Sequence, residues 1–242
     1  MRRDRFYLRD ATNPIFTDST VIHKLRDVLR KKKGDIINVF DGKGKEYEAK
    51  INIISPKIIE LVILDIIREQ EGSNIKVSLG FSLLKSSKVD YVLQKATELG
   101  IYEFLPFIAS NTIVKKPRTS KIVHWKKIIQ EASCQSGRLF LPHLQEVVEW
   151  NNIINGILNF DLILLAEPTS SLNVKQLLQQ IDKGSLKNIL LLVGPEGGFS
   201  SFEIEQITTL EKVQSIKISN FVLRAETACM LLTGLVIHYV SK

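Results

Sequence analysis

The sequence predicts an α/β protein in two parts: a small β domain over residues 1–72, and over 73–242 a mostly parallel sheet whose strands alternate with helices. Three observations predict it. Up to residue 67, β-branched runs are separated by turn residues. The stretch Arg68-Glu69-Gln70-Glu71-Gly72-Ser73-Asn74 is polar and carries a glycine, as a domain boundary does. Beyond it, short apolar runs alternate with segments of helical periodicity, the pattern of a parallel sheet covered on both faces.

The elements follow in order. Residues 18–33 read as a helix: Thr17 or Asp18 can cap it, Val21, Leu25, Val28 and Leu29 form an apolar stripe, and Gly34 stops it. Strands at 36–40, 47–54 and 58–67, joined by Asp41-Gly42-Lys43-Gly44 and by Ser55-Pro56, make a small antiparallel barrel or sheet. In the second part, strands are expected at 76–84, 102–107, 162–166, 188–193 and 214–218, and helices at 88–99, 121–136, 174–181, 201–210 and 226–240. Ligands of such sheets bind at the carboxyl ends of strands, which directs attention to residues 166–168, 194–200 and 218–226.

Composition excludes several classes. The chain has 242 residues, 44% hydrophobic and 24% charged, which rules out a disordered or low-complexity chain. Two cysteines, Cys134 and Cys229, cannot make a disulfide scaffold or a cysteine zinc site, and four scattered histidines have no metal spacing, so no metal is expected. The first residues are charged rather than apolar and no run approaches the length of a membrane span, so a cytoplasmic protein with no membrane association is expected. The net charge of +7 is concentrated: residues 115–143 hold seven basic side chains and one acidic. A concentrated cation beside an acidic remainder suits a phosphate backbone, although a merely solvated basic face would look the same.

Three motifs carry chemistry. Gly194-Pro195-Glu196-Gly197-Gly198-Phe199-Ser200 follows a buried strand and precedes a helix whose start, Ser200-Ser201-Phe202-Glu203, is a capping box. It is neither a Walker loop nor a Gly-x-Gly-x-x-Gly fingerprint. A glutamate between proline and two glycines is odd for a plain turn, which favours a ligand loop that admits close backbone approach. Leu223-Arg224-Ala225-Glu226-Thr227-Ala228 opens the last helix. Its two charges, inside apolar sequence, are costly to bury unless paired or functional, although Glu226 also suits the helix dipole. Gln135-Ser136-Gly137-Arg138 ends the basic helix and presents a guanidinium suited to phosphate or a base edge, unless Gly137 is a simple cap and Arg138 solvated. Cys134 is read as a small buried side chain rather than a nucleophile.

Together these motifs, with Val28-Leu29-Arg30, Phe40-Asp41-Gly42 and Gln94-Lys95-Ala96-Thr97-Glu98-Leu99-Gly100, resemble the bacterial 16S ribosomal RNA uracil-N3 methyltransferases of the SPOUT class, over nearly the whole chain. The resemblance implies an N-terminal PUA-like barrel that docks RNA, a C-terminal SPOUT domain with a trefoil knot that binds S-adenosylmethionine, and a homodimer acting on 16S rRNA or the small ribosomal subunit. The sequence departs from the family's usual pattern at Lys24, at Ser110-Asn111 and at Ser219-Asn220.

On this resemblance the cofactor is expected against Ala166, Glu167, Gly194, Pro195, Glu196, Gly197, Gly198, Ile218, Ser219, Asn220 and Leu223. RNA is expected on Arg30, Lys115, Lys116, Lys121, Lys126, Lys127 and Arg138. Methylation at N3 requires removal of a weakly acidic proton, for which Glu226 is the candidate base, with Arg224 or Arg138 stabilising charge on the uracil carbonyls. A ribose 2′-O methyltransferase and a non-catalytic RNA-binding or assembly protein are the alternatives.

Overall fold

The computed structural model describes residues 4–114 and 116–241. The chain divides into two compact units: one runs up to Gly72 and takes in Gln130–Leu141, and the other comprises Ser73–Ile129 and the residues from Pro142 on.

The first unit is built on a five-stranded sheet in the order β1-β3-β4-β5-β2, with β1 Arg5–Tyr7, β2 Ile15–Phe16, β3 Ile36–Phe40, β4 Lys45–Ile54 and β5 Ile59–Glu69. It is mixed rather than wholly antiparallel, because β1, too short to stand out from the sequence, joins β3 in parallel. The β3–β4 turn is held by Asp41 Oδ1, which accepts from the Lys43 and Lys45 amides at 2.7 and 3.1 Å. Alternate strand residues such as Ile37, Val39, Ala49, Ile51, Ile59 and Leu61 form the core with Phe6, Leu8 and Phe16. Ile22 and Leu25 close that core from the helical segment.

That segment is shorter than its apolar stripe predicts. Helix α1, Ser19–His23, is capped by Asp18, widens to an i+5 turn over Lys24–Val28 and ends at Leu29. The stop is Arg30 itself, in the left-handed region at φ 52°, rather than Gly34. The Lys31 amide turns back to the Leu25 carbonyl at 2.9 Å, and the Gly34 amide is taken by Ile51 O at 2.8 Å.

The second unit is a seven-stranded, wholly parallel sheet in the order β12-β10-β11-β6-β7-β8, with β9 also beside β7. The strands are β6 Lys76–Ser82, β7 Glu103–Ile108, β8 His143–Leu144, β9 Val148–Glu149, β10 Leu162–Ala166, β11 Asn188–Val193 and β12 Val213–Ile216. The runs Leu-Ile-Leu-Leu of β10 and Ile-Leu-Leu-Leu-Val of β11 are buried throughout, as central parallel strands must be. The helices are α2 Ser86–Leu99, α3 Thr119–Ser136, α4 Trp150–Gly156, α5 Val174–Gln180, α6 Ser201–Thr208 and α7 Ala225–Val240. Helix α7 packs on α2, β6 and β11.

The sequence put everything from residue 73 in the second domain, whereas Gln130–Leu141, from the last turns of α3 on, groups with the first unit. Arg5 Nη1 donates to Ser133 O at 2.8 Å and Nη2 to Arg138 O, satisfying carbonyls that a helix end leaves open. The same guanidinium pairs with buried Glu46 at 3.0 Å, which also receives Arg68 at 3.0 Å.

Candidate functional site: a pocket at the carboxyl ends of three parallel strands

Adjacent strands β12, β10 and β11 release their chains on the same side of the sheet, and the three loops line one cavity of about 680 Å³. Its walls are residues 166–169 after β10, residues 193–199 after β11, and Ile216, Ile218, Ser219 and residues 221–225 after β12. Of the residues expected to hold a cofactor, Ala166, Glu167, Gly194, Pro195, Glu196, Gly197, Gly198, Ile218, Ser219 and Leu223 all line it. Asn220 does not. It is exposed, and in that stretch Phe221 and Val222 face the cavity instead while remaining 80% and 85% exposed.

The loop after β11 is anchored from below and from the side. The Phe199 ring stacks on Phe107, 6.1 Å between centroids at 14°, and contacts Trp150 at 5.1 Å. It also lies so close under Gly194 that a Cβ there would meet it at 3.0 Å. The Gly198 amide closes a turn onto Pro195 O at 2.9 Å, with Gly198 at φ 70°. Space where a Gly198 side chain would stand is open.

Two side chains from the β7–α3 loop complete the anchoring. Asn111 Nδ2 donates to the Gly197 and Gly198 carbonyls at 3.3 and 3.0 Å. Glu203, 1% exposed, takes the Ser200 amide at 2.8 Å on one oxygen and the Ser110 amide and hydroxyl at 2.8 and 3.0 Å on the other. The capping box was legible in the sequence. Its second partner, Ser110, lies 93 residues away and was not.

The charged residues at the start of α7 part company. Arg224 is its N-cap, extended at φ −64° and ψ 149°, and lines the cavity with an exposed side chain. Glu226 is not among the lining residues. It lies two residues further on, inside the first turn, and faces α2, where Lys88 Nζ is 3.3 Å from Oε2. That oxygen is buried, so the ammonium beside it is its charge partner. The sequence made Glu226 the candidate base two residues from Arg224; the fold sets it beside Lys88. The same ammonium donates to Glu196 at 2.8 Å. Its hydrogen bond with Glu196 holds Lys88 above the ordinary lysine range. Burial works to raise Glu196, but Lys88 and the loop backbone outweigh it and hold the carboxyl below its usual value.

Arg138 belongs to the first unit and does not line the cavity. Its Nε donates to Phe140 O at 3.2 Å, and burial lowers the guanidinium to about 10. The basic set is also uneven. Arg30, Lys116 and Lys126 are exposed, and Lys127 is half-buried. Lys121 is paired with Asp90, at 2.9 and 3.1 Å, and the same carboxylate also contacts His124 and Trp125 in the first turns of α3. Lys115 lies outside the described residues. Burial pushes the Cys134 and Cys229 thiols up, which suits packing rather than nucleophilic roles. Among the described residues no group of three or more His, Cys, Asp or Glu gathers as a metal site, and no helix is long and apolar enough to cross a membrane.

A parallel sheet with a glycine-rich cavity at the carboxyl ends of neighbouring strands defines a ligand-binding α/β domain. Comparison with known proteins narrows the class. Residues 71–237 match the family of RNA methyltransferase domains, and residues 21–64 match the RNA methyltransferase PUA domain. The chain belongs to this RNA methyltransferase family. It is 29% identical, over 86% of its length and 83% of the relative's, to ribosomal RNA small subunit methyltransferase E of Bacillus subtilis. It is 30% identical to the protein of the same name from Synechocystis, over 86% and 67% of the two chains. A Legionella pneumophila protein solved with bound S-adenosylmethionine superposes with a TM-score of 0.87 at 25% identity, covering 98% of this chain and 97% of that one.

Proposed function

We propose that this chain transfers a methyl group from S-adenosylmethionine to N3 of a uridine in small-subunit ribosomal RNA. The observation that carries the reading is the three-loop cavity of the second unit, in a chain whose relatives are named small-subunit rRNA methyltransferases. The cavity fits an S-adenosyl ligand. Its walls at Ile218, Phe221, Val222 and Leu223 are apolar, and the open space beside Gly198, at left-handed φ, is a cradle that a side chain would fill. Bound there, the cofactor supplies a methyl group activated by its sulfonium.

The chain's own residues then position and deprotonate. Residues 194–198 and 218–223 hold the cofactor mainly through main chain, with Ala166 and Glu167 on the remaining wall. Arg224, exposed at the cavity, stabilises negative charge on a uracil carbonyl as the N3 proton leaves. Glu226 is the proton acceptor, with the Lys88 ammonium 3.3 Å from its Oε2. The target base must leave its stack to reach the pocket. Arg30, Lys116 and Lys126 meet phosphates, and the first unit, a PUA-like barrel in this reading, docks the RNA.

Two finer points belong to the same proposal. The segment after β12 is threaded as a trefoil knot, a reading supported by Lys217, whose amide bonds Leu172 O at 2.7 Å and whose carbonyl takes the Val174 amide at 3.2 Å before the chain returns as α7. Two copies associate through α2 and α7, where Tyr91, Leu99, Leu231 and Leu235 are exposed apolar side chains. The protein acts in the cytoplasm, where its RNA is. Incubating rRNA or small subunits with purified protein and S-adenosylmethionine, followed by nucleoside mass spectrometry, tests the reading. N3-methyluridine is expected; a ribose-methylated nucleoside or no product overturns it.

A further inference from the structure

Lys88 stands outside every motif legible in the sequence, yet it is where two separate walls of the site meet. It projects from the first turn of α2. Its Nζ donates to Glu196 at 2.8 Å, on the loop after β11, and lies 3.3 Å from Glu226 in the first turn of α7. Glu196 lines the cavity. Glu226 Oε2 is buried, and the ammonium 3.3 Å away is the compensating charge beside it.

We propose that Lys88 is a positioning residue that closes the loop of residues 194–200 onto the cofactor cavity, by holding Glu196 and Glu226 on one ammonium. The consequence for the cofactor rests on the reading that the cavity takes S-adenosylmethionine; the clamp itself does not. Without Lys88, two carboxylates that now share one cation face each other unscreened. Glu226 is fixed at the start of a helix packed on β6 and β11, so the loop carrying Glu196 is the part that yields. Asn111 holds the far side of that loop at the Gly197 and Gly198 carbonyls, which leaves Lys88 as its tie on the Glu196 side.

This predicts an ordering that simple loss of a surface ion pair does not. Lys88→Met should loosen the loop more than Glu196→Gln, because the first leaves two unscreened carboxylates and the second leaves none facing each other. The double variant should then behave like Glu196→Gln alone, so that removing a second charge repairs part of the damage. Lys88→Arg keeps the cation and should restore the parent behaviour.

The test uses the full chain and two readouts. Amide hydrogen exchange across residues 194–199, without cofactor, should speed at least fivefold in Lys88→Met, less in Glu196→Gln, no further in the double variant, and stay near the parent in Lys88→Arg. Titration with S-adenosylmethionine should show Kd raised at least tenfold in Lys88→Met, with partial recovery in the double variant. Unchanged exchange in Lys88→Met, or a double variant worse than Lys88→Met, overturns the clamp. If the parent itself binds no S-adenosylmethionine, the functional reading falls instead, while the exchange ordering still decides what Lys88 does.

Discussion

Glu203 offers the sharpest test of how the pocket is held. Its carboxylate is 1% exposed and accepts three hydrogen bonds, from the Ser200 amide, the Ser110 amide and the Ser110 hydroxyl, at 2.8–3.0 Å. Glu203→Gln keeps the shape and one carbonyl oxygen. Whichever way the amide turns, an NH₂ group must face at least one N–H donor. The substitution therefore loses one charge-assisted bond, worth about 1.5–3 kcal/mol, and leaves a buried donor unsatisfied at a further ~1–3 kcal/mol. With partial relaxation the net cost is about 3 kcal/mol, or about 6–12 °C in Tm at the ~2–4 °C per kcal/mol usual for chains of this size. Since Ser200 follows directly on the loop of residues 193–199 that lines the cavity, cofactor affinity should fall with stability. Thermal melting by circular dichroism, paired with a titration of the folded variant at 20 °C, measures both. A Tm within 1–2 °C of the parent would refute the reasoning, because a buried carboxylate with three real donors cannot be exchanged for an amide at no cost.

Glu226→Gln should lower the methylation rate by roughly 10²–10⁴ with a loss that shrinks as pH rises, if Glu226 accepts the N3 proton; a pH-independent defect in the pH–rate profile would leave only its role as a partner of Lys88. Gly198→Val should weaken S-adenosylmethionine binding at least tenfold, and Gly198→Asn, whose side chain tolerates the φ of 70°, separates filling of the open space from backbone strain; calorimetric titrations that find Asn harmless would place the ligand elsewhere. Replacing exposed Lys116 and Lys126 by alanine should flatten the log–log salt dependence of RNA binding by about 1.4 units, at ~0.7 per single-stranded phosphate contact, and leave cofactor affinity alone. Burial works to raise the Asp90 carboxyl, but hydrogen bonds from Lys121 and His124 outweigh it and hold the pKa below the ordinary value. The Asp90 contribution is therefore present above pH ~4 and is lost as pH falls through the depressed folded value. Asp90→Asn should lower Tm by about 2–4 °C at pH 7, with the gap closing below pH 4; a gap that persists in acid would show that charge is not what holds α3.

The sequence by itself determined what depends on neighbours along the chain. The strands β10 and β11 were legible because a strand buried on both faces must be apolar at every position, and α6 because Ser200 and Glu203 satisfy its first amides locally. The glycine loop and, apart from Asn220, the Ile218–Leu223 stretch were legible as walls of one cavity because strands of a parallel sheet end on one side. Tertiary structure decided everything that needed a distant partner. Strands β1, β2, β8 and β9 are two or three residues long and exist only because a neighbour pairs with them. Helix α1 stops at Arg30 because its amides find partners other than the helical ones, and Gln130–Leu141 joins the first unit because Arg5 and Arg68, distant in sequence, donate to carbonyls at and just beyond the end of α3. Lys121 carries a positive charge in the sequence and is paired with Asp90 in the fold, and Glu226 is two residues from Arg224 yet lies beside Lys88. Charge is a property of one residue and periodicity of one segment, so both can be read along the chain. Whether a charge is available, and to what, is set by which segments the sheet brings within 3–4 Å, and that is a property of the fold alone.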